Sequence, residues 1–311
     1  TPKRAGKRHP RIRLPAIVRQ TPGPEGEAFP AAYPQSDAEQ GPATDARGHS
    51  DSADPARGRG TIREEELPVA DTVNIGIIGV GQIGKHHLEA YRKIPGVRIV
   101  AIADINEEEA RRVAEAHGVP RVFRDFRELL AMDEVDAVDV CLHNNLHAPV
   151  AIAAMEAGKH VYCEKPLAGS YADAKAMIEA REGTGRMLAM QAATLFSMET
   201  KAAHRLIAEG YLGHIYYAKS SAYRRRGRPY VDGYGTANFV QKAVAAGGAL
   251  YDVGIYHIVQ VLHLLGRPEV LTVSGATHQE IAMYEDRRAA SGFDVEELAV
   301  GFVRLAGGIS F

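Results

Sequence analysis

Residues 73–84 read VNIGIIGVGQIG, an apolar run that closes on Gly79, Gly81 and Gly84 in G-x-G-x-x-G spacing. The run predicts a strand from Val73 to Ile78, a glycine turn, and a helix starting near Gln82. Each glycine has separate work in such a turn. Gly79 makes the tight bend, Gly81 lets backbone approach a pyrophosphate, and Gly84 lets the helix pack close to the strand. The first N–H groups of the helix, at Gln82 and Ile83, then present the positive end of the helix dipole to phosphates. A second apolar run, Val97 to Ala103, ends at Asp104, twenty residues past Gly84. There a carboxylate accepts hydrogen bonds from an adenosine ribose. A glycine turn alone is weak evidence, but the order strand, turn, helix, strand, acid points to a bound dinucleotide. Asp104 favours NAD over NADP, because a carboxylate repels a 2′-phosphate and Ile105 offers no basic partner. Arg111 and Arg112, one helix later, keep NADP open.

The 311 residues suffice for two domains of ordinary size. A hydrophobic share of 45% against 24% charged residues fits a globular chain with a core to bury. Net charge is −2, so no global field draws the chain to nucleic acid or to an anionic membrane, and neither is an expected partner. No apolar stretch approaches the ~18 residues of a membrane span, and no apolar core of a secretory signal stands near the start. Cys141 and Cys163 each end an apolar run and read as buried free thiols. They form neither CxxC nor metal-ligand spacing, so no metal is expected. Such thiols suit a reducing cytoplasm, the expected location.

Residues 1–70 hold ten of the sixteen prolines and no periodic apolar pattern. A segment that buries so little cannot offset its ordering entropy, and disorder is expected. From Asp71 to about 192, strands near 73–78, 97–103, 121–123, 137–141, 160–163 and 187–192 alternate with helices. That order predicts an α/β Rossmann domain with a doubly wound parallel sheet. From 193 to 311 the period changes. Helix Met198–Glu209, strand His214–Arg224, a basic loop at Arg224–Arg228, helix Gly254–Leu265 and strands Glu269–Thr277 and Glu297–Leu305 predict an α+β domain. Its sheet should be open and mainly antiparallel. Gly307-Gly308 reads as a hairpin turn into a further strand, so a C-terminal truncation is expected.

Three segments carry candidate chemistry. Cys141-Leu-His-Asn-Asn-Leu-His147 lies at a strand C-terminus, where ligands of such sheets bind. Asn144, Asn145 and His147 stand to contact a nicotinamide and its ribose, or the asparagines simply cap the next helix. Glu164-Lys165-Pro166 follows another strand on the same rim. Pro166 restricts Lys165 to extended conformations and so aims its side chain. A lysine held there can orient a hydroxyl and stabilise charge on its oxygen; a surface lysine paired with Glu164 is the plainer alternative. Within GGALYDVGIYH (247–257), Asp252 and Tyr256 are four apart and share one helical face, a plausible proton relay. Asp252 as a helix cap and His257 as a core-edge histidine are the structural alternatives.

The chain from about 73 to 311 resembles the Gfo/Idh/MocA family of NAD(P)-dependent oxidoreductases. The resemblance rests on Asp136-Ala-Val, His147, Ala157-Gly-Lys-His-Val161 and Glu164-Lys-Pro166, then on the glycine-rich stretch with Asp252-x-Gly254-x-Tyr256. It implies a Rossmann domain followed by a substrate domain whose sheet often builds a homo-oligomer interface. It implies that Lys165 is the catalytic lysine, that Asp252 and Tyr256 meet the substrate, and that Glu164 and Lys165 border the cofactor. Many members carry histidine where Tyr256 stands, which keeps His257 as the alternative proton acceptor. Sugar-oxidising relatives similar to glucose–fructose oxidoreductase carry tyrosine there. His143 departs from the small residue or proline common in the family, beside the expected nicotinamide contacts. The implied activity is hydride transfer between NAD and a CH–OH group of a sugar, cyclitol or related polyol. An NAD-dependent glycosidase or a non-catalytic cofactor-binding paralogue is the alternative.

Overall fold

The computed structural model describes residues 72–223, 236–280 and 285–311. The N-terminal stretch expected to be disordered and the basic loop Arg224–Arg228 lie outside these residues. Strands β1 (Val73–Ile78), β2 (Val97–Ala103), β3 (Arg121–Phe123), β4 (Ala137–Val140), β5 (His160–Cys163) and β6 (Leu188–Met190) alternate with five helices. These are α1 (Gln82–Tyr91), α2 (Glu107–His117), α3 (Phe126–Leu130), α4 (Asn144–Glu156) and α5 (Tyr171–Thr184). All strand pairs are parallel, in the order β3-β2-β1-β4-β5-β6. The order reverses between β1 and β4, and the crevice beyond their C-terminal ends is where such sheets bind ligands.

Local chemistry sets the helix ends. Asn106 accepts the Glu109 N–H at 3.2 Å to open α2, and Gly118 closes it at φ 68°. Ser170 and Gly185 do the same for α5. Successive β1 side chains point to opposite faces, so Ile77 packs with Leu88, Ile102 and Val113 under α1 and α2. Ile78 joins Leu129, Val138, Val140 and Met155 under the other helices. Both faces are thus buried, which explains why the strands read as continuous apolar runs.

After the sheet come α6 (Met198–Ala208), α7 (Lys242–Ala245), a π-helical turn at Leu250–Gly254, α8 (Ile255–Leu264), β7 (Val270–His278), α9 (Glu285–Ser291) and β8 (Leu298–Leu305). β7 and β8 form an antiparallel ladder. The expected strand His214–Arg224 is not formed over its described part. Tyr217 makes only an isolated parallel bridge to Ser310, and Tyr216 and Tyr217 are exposed. Alternation supplies the side-chain pattern of a strand, but its pairing is confined to Ser310, which accepts the Ala218 N–H at 2.9 Å and donates to the Tyr216 carbonyl at 3.0 Å. The glycine turn near the end does form. Gly307 and Gly308 take φ 78° and 77°, and Phe311 and Val303 exchange N–H···O bonds of 2.8 and 2.6 Å.

Candidate active site

The three glycines of the first turn differ in what surrounds them. Gly79 sits at φ +95°, and a Cβ there would run into the Cys141 carbonyl. One at Gly84 would strike the Gly79 carbonyl oxygen. Around Gly81 no atom lies within 4 Å of that position. Two glycines are therefore needed by the packing, and the third keeps the approach to the α1 N-terminus open. Gln82 and Ile83 stand exposed on that first turn. Asp104 pins the turn, its Oδ2 accepting the Val80 N–H and its Oδ1 the Asn106 N–H, both at 2.8 Å. A carboxylate has about four lone-pair sites, so these bonds leave acceptor capacity for a ribose. Arg111 and Arg112 are drawn into ion pairs with Glu107 and Glu109 of their own helix. The open glycine, the uncapped helix start and the acid at the end of β2 fit a dinucleotide.

On the β4 rim, α4 begins at Asn144, four residues before the expected Ala148, with His143 as the N-cap residue. Neither asparagine therefore occupies the cap. Asn144 Nδ2 donates to the Ala245 carbonyl at 2.6 Å and ties α4 to α7; Asn145 is exposed. Burial holds the His143 imidazole below its ordinary value. His147 is fully buried, with Nδ1 2.7 Å from the Pro166 carbonyl and Nε2 3.1 Å from that of Leu142. Burial lowers its pKa against the pull of those two carbonyls. The ring of His147, expected beside a nicotinamide, braces the Lys165–Pro166 turn from behind. A tertiary contact of this kind leaves no trace in local spacing.

On the β5 rim the structure brings Lys165, Asp252 and Tyr256 together. Lys165 Nζ lies 3.0 Å from Asp252 Oδ1 and 3.1 Å from the Asp252 carbonyl, with both side chains largely buried. The ammonium also sits 4.9 Å from the Tyr256 ring centroid, a cation–π contact. Asp252 lies inside the π turn and the start of α8 has no side-chain cap, so Asp252 as a helix cap is set aside. The surface pairing of Lys165 with Glu164 is also set aside, because the ammonium meets Asp252 while Glu164 accepts the backbone N–H. His257 stands apart from the trio's contacts, its Nδ1 2.8 Å from Ser220 Oγ.

Glu164 leads to a buried cluster that the motifs did not announce. Its Oε2 accepts the Lys165 N–H at 2.9 Å, and its Oε1 lies 3.1 Å from His87 Nε2. His87 Nδ1 lies 2.8 Å from Asp139 Oδ2, and Cys141 Sγ is 3.4 Å from both that nitrogen and Asp139 Oδ1. Burial alone would lower the His87 pKa, but the hydrogen bonds to Asp139 and Glu164 outweigh it and push it up to about 9. With an acceptor on each nitrogen the ring is an imidazolium, the one species with two N–H donors. Despite its burial, Glu164 is held below the usual carboxylate range by His87 and the Lys165 N–H. Burial and the Asp139 charge drive the Tyr91 and Cys141 pKa values well up. The ligand atoms of His87, Asp139 and Cys141 lie within 4.8 Å of one another, but their mutual hydrogen bonds already occupy them. One signal in the sequence pointed here: Asp139 is a charge in the middle of an apolar strand, and such a charge needs a buried partner.

Residues 73–192 match the model of the oxidoreductase family with an NAD-binding Rossmann fold, and residues 200–311 match the GFO/IDH/MocA C-terminal domain. The chain belongs to the Gfo/Idh/MocA family of oxidoreductases. It is 33% identical over 210 residues to D-glucoside 3-dehydrogenase of Escherichia coli K12, a match covering 67% of this chain and 58% of that relative. It is likewise 33% identical to levoglucosan dehydrogenase of Pseudarthrobacter phenanthrenivorans, over 62% of this chain and 51% of the relative. The chain thus spans little more than half the length of these two proteins. Among solved structures, a levoglucosan dehydrogenase complex with NADH and levoglucosan superposes with a TM-score of 0.62 at 28% identity. That match covers 76% of this chain and 65% of the other. GenD2 from gentamicin A biosynthesis, in complex with NAD, gives a TM-score of 0.65 at 25% identity over 78% and 65%.

Proposed function

We propose that this protein is a dehydrogenase that uses NAD rather than NADP to oxidise or reduce a CH–OH carbon of a sugar, cyclitol or related polyol. The observation that carries the reading is the meeting of Lys165, from the β5 rim, with Asp252 and Tyr256, from the turn that starts α8. When bound, the nicotinamide supplies the hydride acceptor or donor. Gly79, Gly81, Gln82, Ile83 and Gly84 receive the pyrophosphate, and Asp104 takes the ribose. His143, Asn144 and Asn145 border the nicotinamide end, and Glu164 steadies the lysine beside it. Lys165 points its ammonium at the reacting hydroxyl and stabilises the oxygen as negative charge grows. Asp252 holds that ammonium in place and orients the substrate. Tyr256 accepts the hydroxyl proton during oxidation, with His257 as the second candidate.

The same proposal includes a division near residue 192 into cofactor and substrate domains, a cytoplasmic setting in keeping with the buried thiols of Cys141 and Cys163, and self-association through the β7–β8 sheet. Leu298, Val300 and Phe302 stand exposed on one face of that sheet, the kind of apolar patch an interface covers. Among the described residues, no helix is long and apolar enough to cross a membrane.

The test is reduction of NAD with levoglucosan, a methyl glucoside and myo-inositol, followed by absorbance of the reduced nicotinamide. At least one should support turnover. Lys165→Met should lower kcat by about 10²–10⁴-fold, the usual scale for a positioned proton-handling group, with the Kd for NADH nearly unchanged. Wild-type turnover in that variant removes the mechanism. Glycoside release without net NADH would identify transient-oxidation chemistry instead.

A further inference from the structure

Lys165 belongs to a turn that is gripped from both sides. On one side His147 meets the Pro166 carbonyl at 2.7 Å. On the other, Glu164 Oε2 holds the Lys165 N–H at 2.9 Å while its Oε1 faces His87. His87 in turn is held by Asp139 at the centre of β4. The row Asp139, His87, Glu164, Lys165 N–H therefore runs from the middle of the sheet to the backbone of the proposed catalytic residue. His87, Asp139 and Glu164 are all buried, so the contacts lie in a low dielectric and are not screened by water. His87 also sits on α1, the helix whose first turn carries the glycine bend.

The geometry assigns His87 as a positioning residue: by clamping Glu164 between itself and the Lys165 N–H, it fixes where the Lys165 ammonium stands. The assignment rests on the reading of Lys165 as the catalytic lysine. The ring stands between two buried carboxylates, 2.8 Å from Asp139 and 3.1 Å from Glu164, and faces each with one nitrogen. Around the ring stand His86 and Tyr91 from α1, Asp139 from β4 with Cys141 just past it, and Tyr162 from β5 with Glu164 just past it. Of these, Glu164 alone hydrogen-bonds the Lys165 backbone, at its N–H.

Two substitutions separate the ring's two contacts. Gln carries an amide to the place of Nε2 and can still reach Glu164. Asn carries one to the place of Nδ1 and can reach only Asp139. The lysines of the full chain are dimethylated with ¹³C-formaldehyde, and the Lys165 NMR signal is assigned by its loss in Lys165→Arg. In His87→Gln the signal should keep its wild-type position and sharpness; in His87→Asn it should move and broaden. A signal unchanged in both variants, or displaced alike in both, overturns the assignment. Where the His87 variants fail to fold, Glu164→Gln decides: a displaced Lys165 signal supports the clamp and an unmoved one refutes it. Wild-type turnover in Lys165→Met would sink the dehydrogenase reading and leave these signals as they are, so the two failures are distinguishable.

Discussion

A side chain placed at Gly81 would meet nothing within 4 Å, whereas one at Gly79 or Gly84 would strike backbone. Gly81 also takes φ −63° and ψ −164°, which any residue adopts. Gly81→Val should therefore leave Tm within a few degrees of wild type and raise the Kd for NADH by about tenfold or more, by blocking the close approach that the turn permits. Gly84→Ala should instead lose roughly 1–3 kcal/mol of stability through overpacking. Titration of NADH fluorescence and thermal melts of the two variants read the contrast, and a Gly81→Val protein with native affinity would show that the phosphates pass elsewhere. The glycine spacing was legible in the chain because it reflects sterics within one turn. The role of His147 was not, because it depends on two carbonyls brought to its ring by the fold.

Among the elements, the π turn at Leu250–Gly254 matters most to the site, because it delivers Asp252 to Lys165. Its entrance is locked to the strand-side residue Glu296. The Ala249 N–H donates to the Glu296 carbonyl and the Leu250 N–H to Glu296 Oε1, both at 3.0 Å. The Asp252 N–H donates to the Gly248 carbonyl at 2.9 Å. A Cβ at Gly248 would collide with the Glu296 carbonyl oxygen. Gly248→Ala should push the turn outward, lower Tm by the equivalent of about 1–3 kcal/mol, and reduce kcat while leaving NADH affinity alone. Steady-state kinetics beside NADH titration check that split. Periodicity placed a helix start near Gly254, and the structure adds the wider turn before it. A π turn depends on packing around Gly247 and Gly248 and has no period of its own. The missing strand at 214–223 has the same origin, since strand pairing belongs to the partner as much as to the residues.

At the scale of the molecule, the buried His87 cluster ties stability to pH. In the fold His87 holds its proton up to about pH 9, and in the unfolded chain it loses it near 6.5. Its contribution, on the order of 3 kcal/mol, is complete below 6.5 and is lost as pH rises through 9. Cys141 and Tyr91, pushed up by burial and by Asp139, add to the alkaline loss only above their ordinary values of 9.0 and 10.0. Glu164, held low, gives up its share when pH falls through its depressed pKa. Thermal melts between about pH 6 and 9 should show a declining Tm that flattens in His87→Gln; an equal slope in both proteins would show that the ring is not charged in the fold. The alternation of strands and helices, the glycine bend, the acid at 104 and the lysine on a strand end were all readable from residue order, because turns, periods and rims are set by neighbours a few positions apart. The partner of Lys165 was not, since it lies 87 positions away. Nor was the cage of His87, which joins residues 52 positions apart. Such contacts form only when the sheet and the turn before α8 pack, where a buried charge must find its opposite or stay neutral.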